Sequence, residues 1–418
     1  MSCTRRDFLK ATAGTSTLLS LASAAPNFLI RAATAGPARR DSDKTVLVVV
    51  QLSGGNDGLN TVVPYEDDQY ARNRPTLALP PKELHKIDSS IALHPRMGAF
   101  MRLYEEKHLS IVQGVGSPNP DRDHDGAMRI WHTADPDRPS RQTGWLGRAV
   151  DNIWRSDMTE APAVFVGPIA QPFALNAESV IVPCIDSSDD LMAGGMPGRM
   201  DRRSIWKNAA ELTRPDQQDA LLGFLQRCTL KAHANTQRIE AVTQSASGTG
   251  EYPPFRLAGT LRTVAHLIRA DIGIRIFFTE LGGGGIGGFD NHANQLGNHC
   301  ALLHQLSESV AAFVDDLKRD RLLDRVLLMT FSEFGRTVKE NGRRGTGHGA
   351  AAPIFLAGGR LKGGLVGAHP SLTDLDGDAP KVHIDFRRVY ATVLDHWLGF
   401  ESRSVLGRQF ESLDILNS

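Results

Sequence analysis

The sequence predicts an α/β fold with a mostly parallel central sheet and helices on both of its faces. Short apolar runs alternate with helical patterns along the chain, which is typical of such folds. The first run, Thr45–Leu52 (TVLVVVQL), is apolar at nearly every position, as expected for a strand covered on both faces. With 418 residues, of which 41% are hydrophobic and 22% charged, the chain is long enough to bury a sizeable core.

The elements follow in order from these patterns. The predicted strands are β-branched or aliphatic runs near a glycine or a turn: Thr45–Leu52, Leu109–Val112, Ala163–Val166, Ile272–Leu281, Arg325–Phe331 and Pro353–Ala357. The predicted helices have apolar residues three and four positions apart: Asp216–Arg238, Pro254–Ala270, Asn294–Leu317 and Phe386–Leu398. Residues 158–250 are less regular, and we expect an insertion or a helical cap there.

The first 35 residues have the features of an export signal. Arg5 and Arg6 precede Phe-Leu-Lys, a pattern that resembles the twin-arginine signal, and small-x-small cleavage sites end at Ala24 and Ala35. We therefore predict a signal peptide over residues 1–35, a mature domain over residues 36–418, and export by the twin-arginine machinery to the periplasm or beyond. Pro26 interrupts the apolar stretch before the roughly 20 residues that a membrane span requires, and no later segment resembles a span.

The composition argues against several classes of function. Lys+Arg and Asp+Glu both number 47, so the formal net charge is zero, and aromatic residues are only 6%. A nucleic-acid partner is therefore not expected, because such proteins use basic surfaces and stacking aromatic residues. The sequence also lacks Gly-x-Ser-x-Gly and His-Glu-x-x-His, which argues against an α/β-hydrolase elbow and the common zinc proteases.

Carboxylate and imidazole side chains cluster around the predicted strand ends. These candidates are Asp57, Asp123, His124, Asp290, His292, Glu333 and His348. The carboxyl ends of parallel strands meet at one edge of a sheet, which is where ligands bind. Asp, Glu and His bind Zn²⁺, Mn²⁺ and related cations, and such a cation polarises an ester oxygen or lowers the pKa of water to about 7. The pattern therefore favours a metal site.

Most of these candidates also have a structural interpretation, whereas His348, between two glycines, is harder to explain structurally. Asp57 could accept backbone N–H groups in its glycine-rich turn, and Asp290 could cap the helix predicted from Asn294. Glu333 could pair with Arg336. His292 could be a surface residue of a first helical turn, and residues 123–125 could form a solvated polar loop. The basic residues of the 336–344 segment could attract an anionic substrate or simply form a solvated face.

Five segments of the chain together resemble the exported family of unknown function numbered 1501, which is similar to the alkaline phosphatase and sulfatase superfamily. The segments are SGGNDGLNTVVPY (Ser53–Tyr65), IWHTADPDRPSRQTGWLGR (Ile130–Arg148), GGFDNHANQ (Gly287–Gln295), FSEFGRTVKENGRRGTGHG (Phe331–Gly349) and DFRRVYATVLDHWLG (Asp385–Gly399). They occur in order and cover nearly the whole mature chain. The resemblance implies an alkaline-phosphatase-like fold.

The resemblance also implies a two-metal site beside a Ser, Thr or modified Cys nucleophile. It places the metal ligands at Asp57, Asp290, His292, Glu333 and His348, with a divalent cation such as Zn, Mn, Ca or Mg as the cofactor. Asp123 or His124 would assist attack. We further predict that Arg336 and Asn56 bind the substrate, a small anionic ester of phosphate or sulfate.

The chain departs from the family at positions that matter for this chemistry. Phe334 follows Glu333 where the superfamily often has a histidine, and Asp123 stands where the family often has a serine. Gly347 and Asn291 replace a frequent Asp and Thr. These changes weaken a second metal position and remove a serine nucleophile. Two functions follow: an exported metal-dependent hydrolase, or a catalytically degenerate exported binding or assembly protein on the same scaffold.

Overall fold

The computed structural model of the protein describes residues 45–138, 140–153, 162–167, 171–185, 250–282 and 288–417. Nine strands of these described residues form the central sheet. They are β1 (Val46–Leu52), β2 (Leu109–Gly116), β3 (Ala163–Val166), β4 (Cys184–Ile185), β5 (Ile276–Leu281), β6 (Val326–Phe331), β7 (Ala352–Gly358), β8 (Gly364–Val366) and β9 (Ile384–Asp385). Their order is β8–β2–β7–β6–β1–β5–β3–β4, and β9 pairs with the end of β2.

Most neighbouring strands run parallel, which confirms the predicted fold class. β1 pairs in parallel with β5 and β6, β3 with β4 and β5, and β2 with β8 and β9. β7 is the exception, because it is antiparallel to both β2 and β6. The chain returns from β6 to β7 through a hairpin rather than a crossover helix, and a parallel pairing would require a crossover.

Helices cover both faces of the sheet. They are α1 (Gly58–Thr61), α2 (Asp68–Asn73), α3 (Gly98–Glu105), α4 (His124–Thr133), α5 (Trp145–Ile153), α6 (Arg256–Ala270), α7 (Gln295–Arg319), α8 (Phe386–Thr392) and α9 (Ser402–Leu406), with short 3₁₀ turns at Pro81–Glu83, Phe173–Leu175 and Leu323–Arg325. Val46, Val48 and Val50 of β1 share one core with residues of α3, α6 and α7. Leu47 and Val49 share the other core with residues of α4, α5 and α8. Both faces are buried, which explains the uninterrupted apolar run.

Several element boundaries differ from the prediction; the strand predicted over Leu109–Val112, for example, continues to Gly116. The strand predicted from Ile272 begins only at Ile276, because Asp271 and Gly273 adopt positive φ angles of 46° and 88° that break an extended segment. The last predicted helix is α-helical to Thr392 and continues as a π-helix over Val393–Leu398.

Several predictions fall outside the described residues. They are the signal peptide over residues 1–35, the helix at Asp216–Arg238 and most of the possible insertion at residues 158–250. These stay predictions from the sequence. Among the described residues, no helix is both long enough and apolar enough to cross a membrane.

The sheet and one hairpin determine where the predicted site residues lie. Leu52 at the end of β1 lies opposite Leu281 at the end of β5, and Gln51 lies opposite Phe331 at the end of β6. The segments after these three strands therefore leave the sheet side by side. Between β6 and β7, Arg336–Glu340 and Thr346–His348 pair antiparallel; we call this pair the site hairpin. Smaller sheets are formed by Val62–Val63, His85–Lys86 and Ala92–Leu93, and by Leu375–Asp376 and Ala379–Pro380.

Candidate metal centre

The turn after β1 packs directly against the segments that carry the candidate site residues. Gly54 and Gly55 have φ angles of +114° and +80°, in the region that favours glycine. A Cβ atom on Gly54 would lie 2.4 Å from the backbone nitrogen of Asp290, and one on Gly55 would lie 2.3 Å from the Phe334 ring. The segments that carry Asp290 and Phe334 therefore pack directly on a backbone that tolerates no side chain at these positions.

Four side chains converge above this turn. Oδ1 of Asp290 lies 3.0 Å from Nε2 of His292, 3.3 Å from Nε2 of His348 and 3.5 Å from Nε2 of His124. The Nε2 atoms of His292 and His348 are 2.9 Å apart. His124 is the first residue of α4, and His348 ends the site hairpin. We call these four residues the Asp–His cluster; each side chain is partly exposed, so solutes can reach it.

The geometry of the cluster fits a divalent cation. His124, Asp290 and His348 each offer one ligand atom, and these atoms all lie within 4.8 Å of one another. In a tetrahedral zinc site with bonds of about 2.0–2.1 Å, ligand atoms are about 3.3–3.4 Å apart. The distances of 3.3 and 3.5 Å from Asp290 to the two imidazoles are close to that value. An imidazole-rich donor set suits Zn²⁺ better than Mg²⁺ or Ca²⁺.

Hydrogen bonds fix the orientation of two of the imidazoles. Nδ1 of His124 lies 3.0 Å from Oε1 of Glu333, and Nδ1 of His348 lies 2.6 Å from the carbonyl oxygen of Arg122. Because carbonyl and carboxylate oxygens only accept, each Nδ1 carries the proton and donates it. In the neutral imidazoles, Nε2 then has its lone pair available on the side of Asp290, which is the arrangement that metal-ligating histidines use.

The ionisation states also suit a cation. Burial alone would raise the pKa of Asp290, but the hydrogen bond and charge of Arg336 outweigh it, so this pKa is lowered. The pKa of His292 is lowered, chiefly by burial, which keeps its imidazole neutral at pH 7. The hydrogen bond to Glu333 raises the pKa of His124. At neutral pH the cluster thus presents the Asp290 carboxylate and the neutral His292 imidazole, and a cation at His124 would have to displace a proton that Glu333 helps to hold.

Arg336 does not face solvent, although we predicted it to bind substrate. Its side chain is 0% exposed, and Nη2 donates to Oδ1 of Asp290 at 2.7 Å. Its other hydrogen bonds go to backbone carbonyl oxygens, namely those of Gly54, Gly55, Phe289 and Thr346. Arg336 therefore binds the turn after β1 to Asp290, and its donors are directed at the protein itself.

Glu333, predicted as a metal ligand, lies behind His124. Its Oε1 accepts from the Gly54 backbone N–H at 2.8 Å as well as from His124, and its Oε2 accepts from Ser332 Oγ at 3.2 Å. The side chain is almost fully buried. In this geometry Glu333 orients a candidate ligand. The predicted alternative, a pair with Arg336, does not form, since Arg336 pairs with Asp290 instead.

Asp57, also predicted as a ligand, forms a buried ion pair. Its two oxygens lie 2.6 and 2.9 Å from Nη1 and Nη2 of Arg74, and Oδ1 accepts from the Leu59 backbone N–H at 3.2 Å. Gln295 also donates to Oδ2. Burial alone would raise the pKa of Asp57, but Arg74 lowers it. The structural interpretation of Asp57, as an acceptor within the turn, thus describes part of its surroundings.

Asn56 and Asp123, the remaining predicted site residues, make contacts of their own. Asn56 is fully buried, and its Oδ1 lies 3.0 Å from His299 Nε2 and 3.1 Å from Thr61 Oγ1. Asp123 is exposed and is the N-cap of α4, where its carboxylate accepts from the backbone N–H groups of Asp125 and Gly126. Asp123 adjoins His124 in the chain, but its side chain is engaged in the helix cap.

Two important residues were missed from the sequence. Phe334 is buried, and its ring centroid lies 4.6 Å from that of His348 and 4.9 Å from that of His124, so it forms a wall against both imidazoles. In the sequence, Phe334 indicates only the loss of a nitrogen ligand. Arg74 gave no signal, because a single arginine after a short helix and before a proline is ordinarily a surface residue.

The fold and the cluster define an α/β protein with a candidate metal centre at the carboxyl edge of its sheet. The chain belongs to the DUF1501 family, described as a protein of unknown function, whose model matches residues 43–412. This confirms the family resemblance. No curated protein matches the chain.

Three solved structures illustrate what the chain is similar to. The C-terminal periplasmic domain of EcEptC from Escherichia coli, in complex with Zn, is 10% identical, with 77% of this chain and 75% of that chain covered and a TM-score of 0.34. A protein in the alkaline phosphatase superfamily from Vibrio parahaemolyticus is 10% identical, with coverage of 87% and 69% and a TM-score of 0.39. The PsFucS1 sulfatase from Pseudoalteromonas sp. is 9% identical, with coverage of 89% and 71% and a TM-score of 0.40.

Proposed function

We propose that this protein is a metal-dependent hydrolase that holds a divalent cation of the zinc type at His124, Asp290 and His348 and acts on an ester of phosphate or sulfate. The observation that carries the proposal is the convergence of one ligand atom each from His124, Asp290 and His348 within 4.8 Å of one another. The choice of an anionic ester rests on the sequence resemblance. Export by the twin-arginine machinery, also part of the proposal, rests on the sequence of residues 1–35.

The surroundings of the three ligands support this assignment. When bound, a cation of this type supplies a Lewis acid and lowers the pKa of a coordinated water. Glu333 and the Arg122 carbonyl hold His124 and His348 with Nε2 toward Asp290. If His124, Asp290 and His348 hold the cation, three protein ligands would leave a position for water or substrate, which distinguishes catalytic from structural zinc sites.

We assign the attack to water: its oxygen forms a bond to phosphorus or sulfur as the bond to the leaving oxygen breaks, and its proton passes to His292 and from there to the leaving alcohol. His292 lies next to the three ligands, with Nε2 at 3.0 Å from Asp290 Oδ1. In the metal-free geometry His292 Nε2 donates toward Asp290 and His348; with a cation bound at those two ligands, the neutral imidazole would be free to accept the proton of a water beside them. The neighbouring Ser332 hydroxyl is buried, donates to the Leu52 carbonyl oxygen at 2.6 Å and accepts from the Asn56 N–H at 2.9 Å, so it serves the turn rather than the reaction.

The proposal is tested by metal content and turnover. Protein folded inside the cytoplasm is analysed for metals and screened with chromogenic phosphate and sulfate esters. We expect H348Q and D290N to lose both metal and turnover, and H292Q to keep metal but lose turnover. H304Q, a change of an exposed histidine on α7, is the matched control and should keep both. Wild-type protein that holds no metal and turns over none of these esters would overturn the proposal.

A second function, binding or assembly on the same scaffold, is favoured by the positions of Asp123 and Asp57. Asp123, at the family's frequent serine position, caps α4, and Asp57 is bound by Arg74. Two positions that the resemblance gives to chemistry thus make structural contacts. This alternative expects no turnover even after zinc is supplied, together with a stable partner recovered from the periplasm. Turnover by metal-loaded wild-type protein decides against it.

A further inference from the structure

We infer that the metal centre is mononuclear. Arg74 and Arg336 already pair with Asp57 and Asp290, so these carboxylates are not free to hold a second cation. The inference rests on the proposed function for the presence of the first cation. It departs from the resemblance, which implies two metals and gives Asp57 and Glu333 as ligands.

Asp57 has no capacity left for a cation. A carboxylate offers about four acceptor positions. In the structure, Asp57 accepts from Nη1 and Nη2 of Arg74, from the Leu59 N–H and from Gln295 Nε2. A metal bound here would have to displace these donors.

Arg74 cannot move aside at low cost. Its side chain is 0% exposed, and besides Asp57 it donates to Asn60 Oδ1 at 2.6 Å and to the carbonyl oxygens of Val338 and Thr337 at 3.0 and 2.9 Å. If a cation took Asp57, this guanidinium would remain buried without a counter-charge, an arrangement that proteins strongly disfavour. The pair is therefore a fixed part of the protein interior.

The net charge also favours a single cation. Asp57, Asp290 and Glu333 supply three buried or half-buried carboxylates, and Arg74 and Arg336 neutralise two of them. The one remaining negative charge is already exceeded by a single divalent cation. A second one would add uncompensated positive charge beside two buried guanidinium groups. Glu333 is buried behind His124 and its Oε1 already accepts from Gly54 and His124, so it could reach a second cation only through Oε2, beside Ser332.

The test is the metal stoichiometry of the full chain. Zinc titration of metal-free wild-type protein, checked by elemental analysis, should give one equivalent per chain. X-ray absorption of the loaded protein should show no metal–metal distance near the roughly 3.5–4 Å that is typical of two-metal sites. D290N is expected to lose the metal. D57N makes the same chemical change at the other aspartate. Its zinc affinity should fall by less than the roughly ten-fold that is typical when the hydrogen-bond partner of a metal ligand is changed.

The outcomes separate this inference from the proposed function. Two equivalents in the wild type, a metal–metal distance, or loss of zinc by a folded D57N would overturn the inference and leave a metal-dependent hydrolase standing. Zero equivalents would overturn both. D57N leaves Arg74 unpaired and could fail to fold, so the double variant D57N/R74Q, which replaces the ion pair by two amides, is measured beside it. The wild-type stoichiometry decides the question even if neither variant folds.

Discussion

Replacing Glu333 by glutamine removes the charge behind His124 while it preserves the shape of the side chain. Glu333 Oε1 accepts from His124 Nδ1 at 3.0 Å and from the Gly54 N–H at 2.8 Å, and glutamine retains one oxygen that can accept from both. The Ser332 hydroxyl, which donates to the Leu52 carbonyl oxygen at 2.6 Å and lies 3.2 Å from Oε2, has a lone pair that can accept from the new amide nitrogen. The expected loss is therefore mainly electrostatic.

The magnitude follows from what such carboxylates do elsewhere. Changing a group that hydrogen-bonds to a metal-ligating imidazole typically costs about 10–100-fold in metal affinity. Because E333Q keeps the acceptor and loses only the charge, we expect about a ten-fold weaker zinc affinity, or about 1.4 kcal/mol. If Glu333 were itself a ligand, as the sequence predicts, E333Q would remove a charged donor and the loss would be much larger.

The measurement is zinc competition against a chromophoric chelator for wild type, E333Q and the control E308Q. Glu308 Oε1 lies 4.0 Å from His304 Nδ1 on the exposed side of α7, so E308Q breaks an acid–imidazole pair away from the cluster. It should leave the zinc affinity unchanged. In the metal-free protein, NMR titration should show that E333Q lowers the pKa of His124, since the hydrogen bond that His124 donates to Glu333 is the largest cause of its raised value.

Two results would refute this reasoning. Unchanged zinc affinity together with an unchanged His124 pKa would mean that Glu333 does not act on His124 at all. Complete loss of zinc from a folded E333Q would mean that Glu333 binds the metal directly, as the sequence predicts. Glu333 is almost fully buried, so thermal unfolding of metal-free E333Q is measured as well, to separate both cases from simple misfolding.

Two further predictions concern acid stability and substrate attraction. Burial lowers the pKa of His132 to about 3, below the 6.5 of the unfolded chain, so the stability that the neutral, buried His132 contributes is fully present above pH 6.5 and is lost as the pH falls toward 3. Urea unfolding of metal-free protein between pH 7 and pH 4.5 should therefore show that the free energy of unfolding falls by about 3 kcal/mol less in H132Q than in wild type. Equal decreases in the two proteins would contradict this. Arg343 and Arg344 are exposed on the loop that contacts the His292 segment, so R343S/R344S should raise KM for an anionic ester about three-fold at low salt, with the difference gone near 0.5 M; a KM that does not change at low salt would exclude this role.

The sequence was sufficient to predict the main strands of the sheet and to place several acidic and histidine side chains near strand ends. Continuous apolar runs identified β1 and β6 almost to the residue, because strands buried on both faces must be apolar at every position. Polar residues directly after such strands necessarily meet at one edge of a parallel sheet. For that reason the sequence predicts Asp290 and His292 at this edge, whereas His348 precedes the strand that begins at Ala352 and reaches the cluster through the site hairpin.

The same reasoning could not decide which of the carboxylates binds a metal, which orients a ligand and which forms a structural ion pair. Asp57, Asp290 and Glu333 all follow a strand in glycine-rich surroundings, and nothing in the local pattern distinguishes them. The distinction comes from contacts between distant parts of the chain: Arg74 saturates Asp57, Arg336 pairs with Asp290 on one side only, and Glu333 is buried behind an imidazole. Sequence periodicity reports burial and secondary structure, whereas the partner of a buried charge is a tertiary property.

Arg336 connects the fold to the chemistry of the cluster. The same guanidinium that hydrogen-bonds to the Gly54 and Gly55 carbonyls, and so closes the turn after β1, also lowers the pKa of Asp290. A guanidinium remains protonated wherever proteins are folded, so Asp290 stays ionised through the neutral range. The imidazoles are then the groups whose protons compete with a cation. A change at Arg336 would therefore disturb the turn and the carboxylate together, which is why the separate roles of the site are better resolved at Glu333 and Asp57.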